Sequence, residues 1–176
     1  MTTFWRNKCV AVTGHTGFKG SWLSLCLNEM GAKVYGFALA PQTQPALFNQ
    51  LDLEKGILHS EGDIRNLDAI RKWIVEVQPE VVFHLAAQPL VRRSYREANL
   101  TWETNVMGTV NLLQSLRELK GSCAVVVVTT DKVYENQERA YAYNEGDRLG
   151  GLDPYSSSKA AVELAVSSWR KSFWQK

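Results

Sequence analysis

The chain has 176 residues, 45% of them hydrophobic and 22% charged, with a net charge of +2. That balance suits one soluble domain with a sizeable core, and so mild a charge excludes the footprint of a nucleic-acid binder. No apolar run is long enough to cross a membrane, and the short apolar stretch after Lys8 argues against a secretory signal. Cys9, Cys26 and Cys123 sit among apolar neighbours and read as buried thiols of a reducing cytoplasm. His15, His59 and His84 are too dispersed from them to make a metal site.

The first strand is expected over residues 8–13, ending at Gly14. Gly17 and Gly20 follow at three-residue spacing, and a helix over residues 18–30 carries Trp22, Leu23, Leu25, Cys26, Leu27 and Met30, with Gly31 placed to end it. A second strand covers 33–38, a Pro-containing loop follows, and a short helix lies over 46–51. A third strand at 56–61 ends at Gly62-Asp63-Ile64-Arg65. Asn66 caps a helix over 67–77, where Leu67, Ile70, Trp73, Ile74 and Val77 recur at helical spacing. A continuous apolar strand at 81–85 leads to a polar loop with Arg92, Arg93 and Arg96, then to a long helix over 97–119. A fifth apolar strand covers 123–128. After a polar irregular stretch, Asp153-Pro154 opens a helix that runs to the end of the chain.

This alternation specifies an α/β fold: a doubly wound parallel sheet of Rossmann type, in strand order 3-2-1-4-5. Ligands in such sheets bind beyond the carboxyl ends of the strands, where the order reverses. Thr13, Ala38, Asp63, Leu85 and Thr129 should therefore border one cleft. The strand, glycine turn and helix of residues 10–30 form an anion site, because the turn exposes N–H groups in front of the positive end of the helix dipole. Gly14 permits the tight turn, Gly17 lets a pyrophosphate approach, and Gly20 lets the helix lie close to the strand. The plainer alternative is a glycine-rich turn with no ligand.

A second constellation lies at Thr129-Thr130-Asp131-Lys132 and at Tyr155-Ser156-Ser157-Ser158-Lys159. On a helix, positions 155 and 159 share a face. A nearby ammonium favours the phenolate and draws the Tyr155 pKa down, making it a usable base, while the Thr130 hydroxyl can bind the same substrate oxygen. With a dinucleotide, that is the equipment for oxidising an alcohol. An exposed tyrosine and lysine on a surface helix is the alternative.

The combination resembles the extended short-chain dehydrogenase/reductase family. The matching residues are 14–20 (Gly-His-Thr-Gly-Phe-Lys-Gly), 62–65, 84–87, 103–109 and 155–159, spread across nearly the whole chain. Thr130-Asp131 followed by Lys132-Val133-Tyr134 is similar to the nucleotide-sugar 4,6-dehydratases. Lys132 where most have Glu, with His15 and Lys19 inside the glycine loop, resembles their CDP-glucose branch.

The resemblance implies NAD as cofactor and a 4-keto-6-deoxy sugar as product. Tyr155 takes the proton of the sugar 4-hydroxyl, and Lys159 and Thr130 assist. Asp131 is the acid for the departing 6-hydroxyl. Lys132 stands where the C5 base is expected, as base, as enolate stabiliser, or as a solvated lysine. The implied cofactor contacts are Gly14, His15, Gly17, Phe18, Lys19 and Gly20 at the pyrophosphate, Asp63 and Ile64 at the adenine, Leu85, Ala86, Ala87 and Thr104 in the groove, and Tyr155 and Lys159. His15 could equally cap the turn. Strand two has neither an acidic residue for the adenosine ribose nor an arginine for a 2′-phosphate, so NAD follows from the branch alone.

The resemblance also implies a homodimer, with Trp102, Leu113, Leu116, Val162 and Trp169 among its contacts, and a nucleotide-sugar partner rather than nucleic acid or membrane. Residues 1–176 read as one NAD-binding domain, without the carboxyl-terminal substrate region that family members add. Two other readings stay open: a dinucleotide-binding module without turnover, and a nucleotide-sugar 4-epimerase, which does not need Asp131.

Overall fold

Strand β1 (Cys9–Thr13) is apolar to both sides because the sheet is covered on both faces. In the computed structural model, which describes residues 3–138, 140 and 142–174, its side chains alternate between two cores. Val10 and Val12 point into a cluster with Leu27, Val34, Phe48 and Leu53, while Ala11 points into one with Ile70, Trp73, Val82, Leu112 and Leu113. β2 (Lys33–Ala38) and β4 (Val81–His84) pair with β1 on either side. β3 (Leu58–Glu61) lies outside β2, and β5 (Ala124–Val127) outside β4. All pairings are parallel and the order is β3-β2-β1-β4-β5, as the alternation of elements specified.

The helices carry several corrections. Helix α1 (Phe18–Glu29) fully buries only Leu27 of the apolar residues that its spacing suggested, with Leu23 and Leu25 half-buried beside it. Its buried line is Gly20, Ser21, Ser24 and Leu27, while Trp22 is 45% exposed. Small residues let the axis approach β1, which bulky ones would prevent. Gly31 ends the helix at φ +85°, with its N–H donating to the Asn28 carbonyl. The short α2 (Leu47–Gln50) brings Phe48 into the α1-side core. Helix α3 (Leu67–Val77) has the expected bounds, and Asn66 accepts from the Ala69 N–H at 3.1 Å.

The polar loop expected after β4 is partly a helix, α4 (Val91–Arg96), stabilised by Arg93 pairing with Glu97 at 2.8 Å and by Ser94 donating to the Val91 carbonyl. The long helix of 97–119 is divided: α5 (Ala98–Trp102), a π turn (Glu103–Met107) and α6 (Gly108–Leu116). The wide turn brings the Asn105 amide inward, where it accepts from the Gln88 N–H at 2.8 Å and donates to the Ser158 hydroxyl at 2.9 Å. Helix α7 (Pro154–Trp169) passes into a second π turn (Arg170–Trp174).

β5 is the outer strand, and Val126 is 45% exposed. Leu113, Leu116 and Val162 belong to the interior, so they are not subunit contacts. Trp102 is exposed, and Trp169 packs edge-on against Phe173. Cys26 is exposed rather than buried, and Cys9 and Cys123 are half-buried thiols. No helix of the described residues is long and apolar enough to cross a membrane, and none of their His, Cys, Asp and Glu form a cluster able to hold a metal ion.

Two interior histidines tie the sheet to its surroundings. His84 joins Thr13 at 2.6 Å through Nδ1 and Thr109 at 2.9 Å through Nε2. Burial, with Lys159 nearby, pushes its pKa down to about 3. His15 meets His59 at 2.7 Å, and burial with that neighbour pushes its pKa down to about 4. In the unfolded chain both would titrate near the ordinary value of about 6.5. Unfolding therefore takes up protons below that pH, and stability falls as pH falls. Urea unfolding should give a midpoint that declines steadily from pH ~6.5 toward pH ~4.

Candidate nucleotide and catalytic site

The turn after β1 is built on close approaches. Gly14 has φ +75°, and a Cβ there would stand 2.6 Å from the Ala86 backbone nitrogen. At Gly20 a Cβ would stand 2.1 Å from the Gly14 carbonyl oxygen. Gly17 is the N-cap of α1 and provides no side-chain cap. The first N–H groups of α1 have no carbonyl one turn back to bond to. Phe18 and Lys19 beside them are exposed, so the helix terminus opens toward the strand ends with its positive dipole unopposed. An anionic diphosphate fits that opening.

His15 is different. Its ring is buried, packed on Phe48 and His59, and occupies the space over Gly36, where a Cβ would lie 2.5 Å from the ring. The expectation that the His15 imidazole meets a pyrophosphate is corrected: the side chain turns beneath β2, because Gly36 leaves a hollow for it. Ile64 is corrected likewise. Its side chain is core, packed against Gly108, and its carbonyl accepts from the Asn111 amide at 3.0 Å. Asp63 is already engaged by Arg65, which donates through Nη2 at 2.6 Å and holds the carboxyl below the usual carboxylate range.

The opposite wall comes from β4 and α7. Leu85, Ala86 and Ala87 are half-buried at the end of β4, and Thr104 is half-buried on the π turn. The Asp153 carboxylate accepts from the N–H groups of Tyr155 and Ser156 at 2.9 and 3.0 Å, completing the expected cap with Pro154 in the first turn. This fixes Tyr155 at the mouth of the cleft. Three consecutive residues beyond β5 meet one face of α7. The Val128 carbonyl accepts from Lys159 Nζ at 3.0 Å, the Thr129 hydroxyl donates to Glu163, and Thr130 stands beside the Tyr155 phenol.

The electrostatics depart from expectation. The Tyr155 pKa is raised, not lowered. Burial is the main cause; the Thr130 hydroxyl opposes it, and Asp131 and Asp153 add to it. Lys159 is 7% exposed, and its ammonium is directed to the Val128 carbonyl rather than to the phenol. Its pKa is pushed down to about 8 by burial, with Glu163 opposing the shift and Lys19 adding to it. The charge of Lys19 thus reaches Lys159 across the cleft, so the glycine turn and the Tyr155 helix face one another. Asp131 and Lys132 lie exposed at the rim, 3.8 Å apart. Sequence reading missed Glu163; its signal was the four-residue step that continues 155 and 159 on one helical face.

A doubly wound sheet, a glycine turn at its switch point and a tyrosine–lysine helix across the cleft define a dinucleotide-binding domain of the short-chain dehydrogenase/reductase type. The family model of GDP-mannose 4,6 dehydratase matches residues 11–174, and the chain belongs to that family. It is 52% identical over 171 residues to CDP-glucose 4,6-dehydratase of Salmonella typhimurium, covering 97% of this chain and 48% of that protein. Among solved structures, UDP-glucose 4-epimerase of Thermus thermophilus in complex with NAD superposes with a TM-score of 0.82 at 29% identity, covering 95% of this chain and 52% of the other. A dTDP-glucose 4,6-dehydratase double mutant from Streptomyces venezuelae with NAD bound gives 0.80 at 27% identity, over 93% and 52%. The chain spans about half the length of the relatives it matches.

Two measurements probe this geometry. Gly14→Ala forces a Cβ into the Ala86 backbone at positive φ, and should lower unfolding stability by about 1–3 kcal/mol in chemical denaturation. In the cofactor-free chain, the phenolate absorbance lost on Tyr155→Phe substitution should titrate above a free tyrosine's, since burial disfavours the charge.

Proposed function

We propose that this chain is the NAD-binding and proton-transferring part of a CDP-glucose 4,6-dehydratase. The observation that carries the reading is the facing of two elements across one cleft: the open amino terminus of α1 with Lys19, and the Tyr155–Lys159 face of α7 held by residues 128–130. The 52% identity to the Salmonella enzyme supports the choice of substrate class.

NAD, when bound between these walls, supplies the hydride acceptor for the sugar C4 and returns the hydride at C6. The chain's own residues do the rest. The N–H groups of Phe18, Lys19 and Gly20 receive the diphosphate. Gly14, Gly17, Leu85, Ala86, Ala87 and Thr104 border the cofactor groove, and Asp63 stands at its adenine end. Tyr155, as phenolate, removes the proton of the 4-hydroxyl, and Thr130 binds the same oxygen. Because burial, with Asp131 and Asp153, raises the Tyr155 pKa, ionisation at neutral pH calls for added positive charge in the cleft, such as the nicotinamide ring would bring. The resulting 4-ketone acidifies the C5 proton. Asp131 protonates the departing 6-hydroxyl, and Lys132 beside it, as the neutral amine, takes the C5 proton and, as the ammonium so formed, steadies the enolate. The exposed Trp102 and Leu164, on the paired helices α5 and α7, form the face through which two copies associate. Free thiols suit a reducing cytoplasm.

The 4-epimerase reading shares Tyr155, Lys159 and Thr130, and differs at Asp131. Incubation with CDP-glucose and NAD⁺ should give a 4-keto product detected by its absorbance in alkali; a new hexose would favour the epimerase, and binding without turnover a module. Tyr155→Phe should cut turnover by about 10²–10⁴-fold while NAD⁺ remains bound. Retained activity would remove Tyr155 from its role.

A further inference from the structure

Helix α7 presents residues 155, 159 and 163 on one face, and consecutive residues beyond β5 receive all three. Two of these meetings belong to the dehydratase reading. The third, Thr129 donating to the Glu163 carboxylate, has no part in that reading. Glu163 is not in ion-pair contact with Lys159. No carboxylate of the described residues lies within 4.0 Å of that ammonium, whose one close partner is the neutral Val128 carbonyl at 3.0 Å. The surroundings of Lys159 are otherwise hostile to charge. It is 7% exposed, Lys19 faces it from α1, and His84 lies near it from β4. On its own helix, Glu163 is the titratable group that acts on it.

We propose that Glu163, held by the Thr129 hydroxyl, is a positioning residue whose carboxylate sustains the positive charge of the buried Lys159. A fixed anion one helical turn from a desolvated ammonium offsets the cost of burying it, and in this medium it acts without contact. The direction of its effect on Lys159 agrees, opposing both burial and the repulsion from Lys19. Thr129 matters because a tethered carboxylate cannot swing away into the apolar groove beside β5, which Glu163 borders together with Val127 and Phe173. The proposal rests on the reading of Lys159 as the partner of Tyr155, but concerns a property that exists before cofactor or substrate binds.

The test is a ¹³C NMR titration of the lysine Cε signals, with Lys159 assigned through Lys159→Arg. Lys159 of the unsubstituted chain should titrate near pH 8. Glu163→Gln should move that titration down by about one unit. Thr129→Val should move it in the same direction by less, and Thr129→Ser, which keeps the hydroxyl, should leave it in place. A purely structural role would lower the melting temperature without moving the titration. An unchanged Lys159 titration in Glu163→Gln overturns the proposal. Should that variant not fold, an unchanged titration in Thr129→Val overturns it equally. NAD⁺ binding by the unsubstituted chain is measured in the same samples. Its absence would overturn the dehydratase reading and leave the Glu163–Lys159 result to be judged by the titration alone.

Discussion

The contact between Gly14 and the backbone of Ala86 sets the geometry of everything around it. β1 is central, and its carboxyl end is where the strand order turns outward in two directions. The chain must leave that point in a turn narrow enough to stay beneath the cleft. A residue at φ +75° with no side chain does this, and β4 then approaches the turn to within contact distance. The second close approach, Gly20 against the Gly14 carbonyl, brings α1 down onto β1 with Ser21 and Ser24 facing the sheet. The free end of α1 and Lys19 therefore point across the cleft rather than away from it.

Polar links inside the fold keep that arrangement in register. His84 joins β1 to α6 through Thr13 and Thr109, and Asn105 joins the end of β4 to α7 through Gln88 and Ser158. Buried groups satisfied in this way hold a single geometry, because every alternative leaves a donor or acceptor unpaired in low dielectric. The π turn at Glu103–Met107 belongs to the same logic: it is the local irregularity that lets Asn105 reach inward. The cleft is bordered by strand ends and by the faces of α1 and α7. Val128, Thr129 and Thr130 each take one step of α7, so a small displacement of the strand end would disturb the groups opposite all three.

Much of this was legible in residue order. Glycine spacing located the switch point, the apolar runs located five strands, and Asp153-Pro154 located the start of α7. What escaped were features that depend on what a side chain meets. The α1 pattern of Trp22, Leu23 and Leu25 suggested a bulky buried face, whereas contact with β1 selected the small residues instead. His15 read as a ligand-facing group, until Gly36 on the neighbouring strand β2 supplied the hollow that holds it. Ile64 read as an adenine contact, but its side chain packs against Gly108, whereas Asp63 keeps its place at the strand end, paired with Arg65. Tyr155 beside Lys159 in sequence suggested a lowered phenol pKa; the ammonium instead faces Val128, and burial dominates.

The sequence by itself determined the strand order, the glycine turn, the capped helix carrying Tyr155 and Lys159, and the family to which the chain belongs. These are encoded locally, in backbone freedom, capping chemistry and periodicity, and local rules suffice to read them. Tertiary structure alone decided which polar groups face the cleft and which are interior: His15 inward, Lys19 outward, Lys159 buried with Glu163 near but not touching. Those outcomes depend on dielectric and on contacts across the fold, such as Val128 receiving Lys159 and Thr129 holding Glu163, which the four-residue step between 159 and 163 does not record.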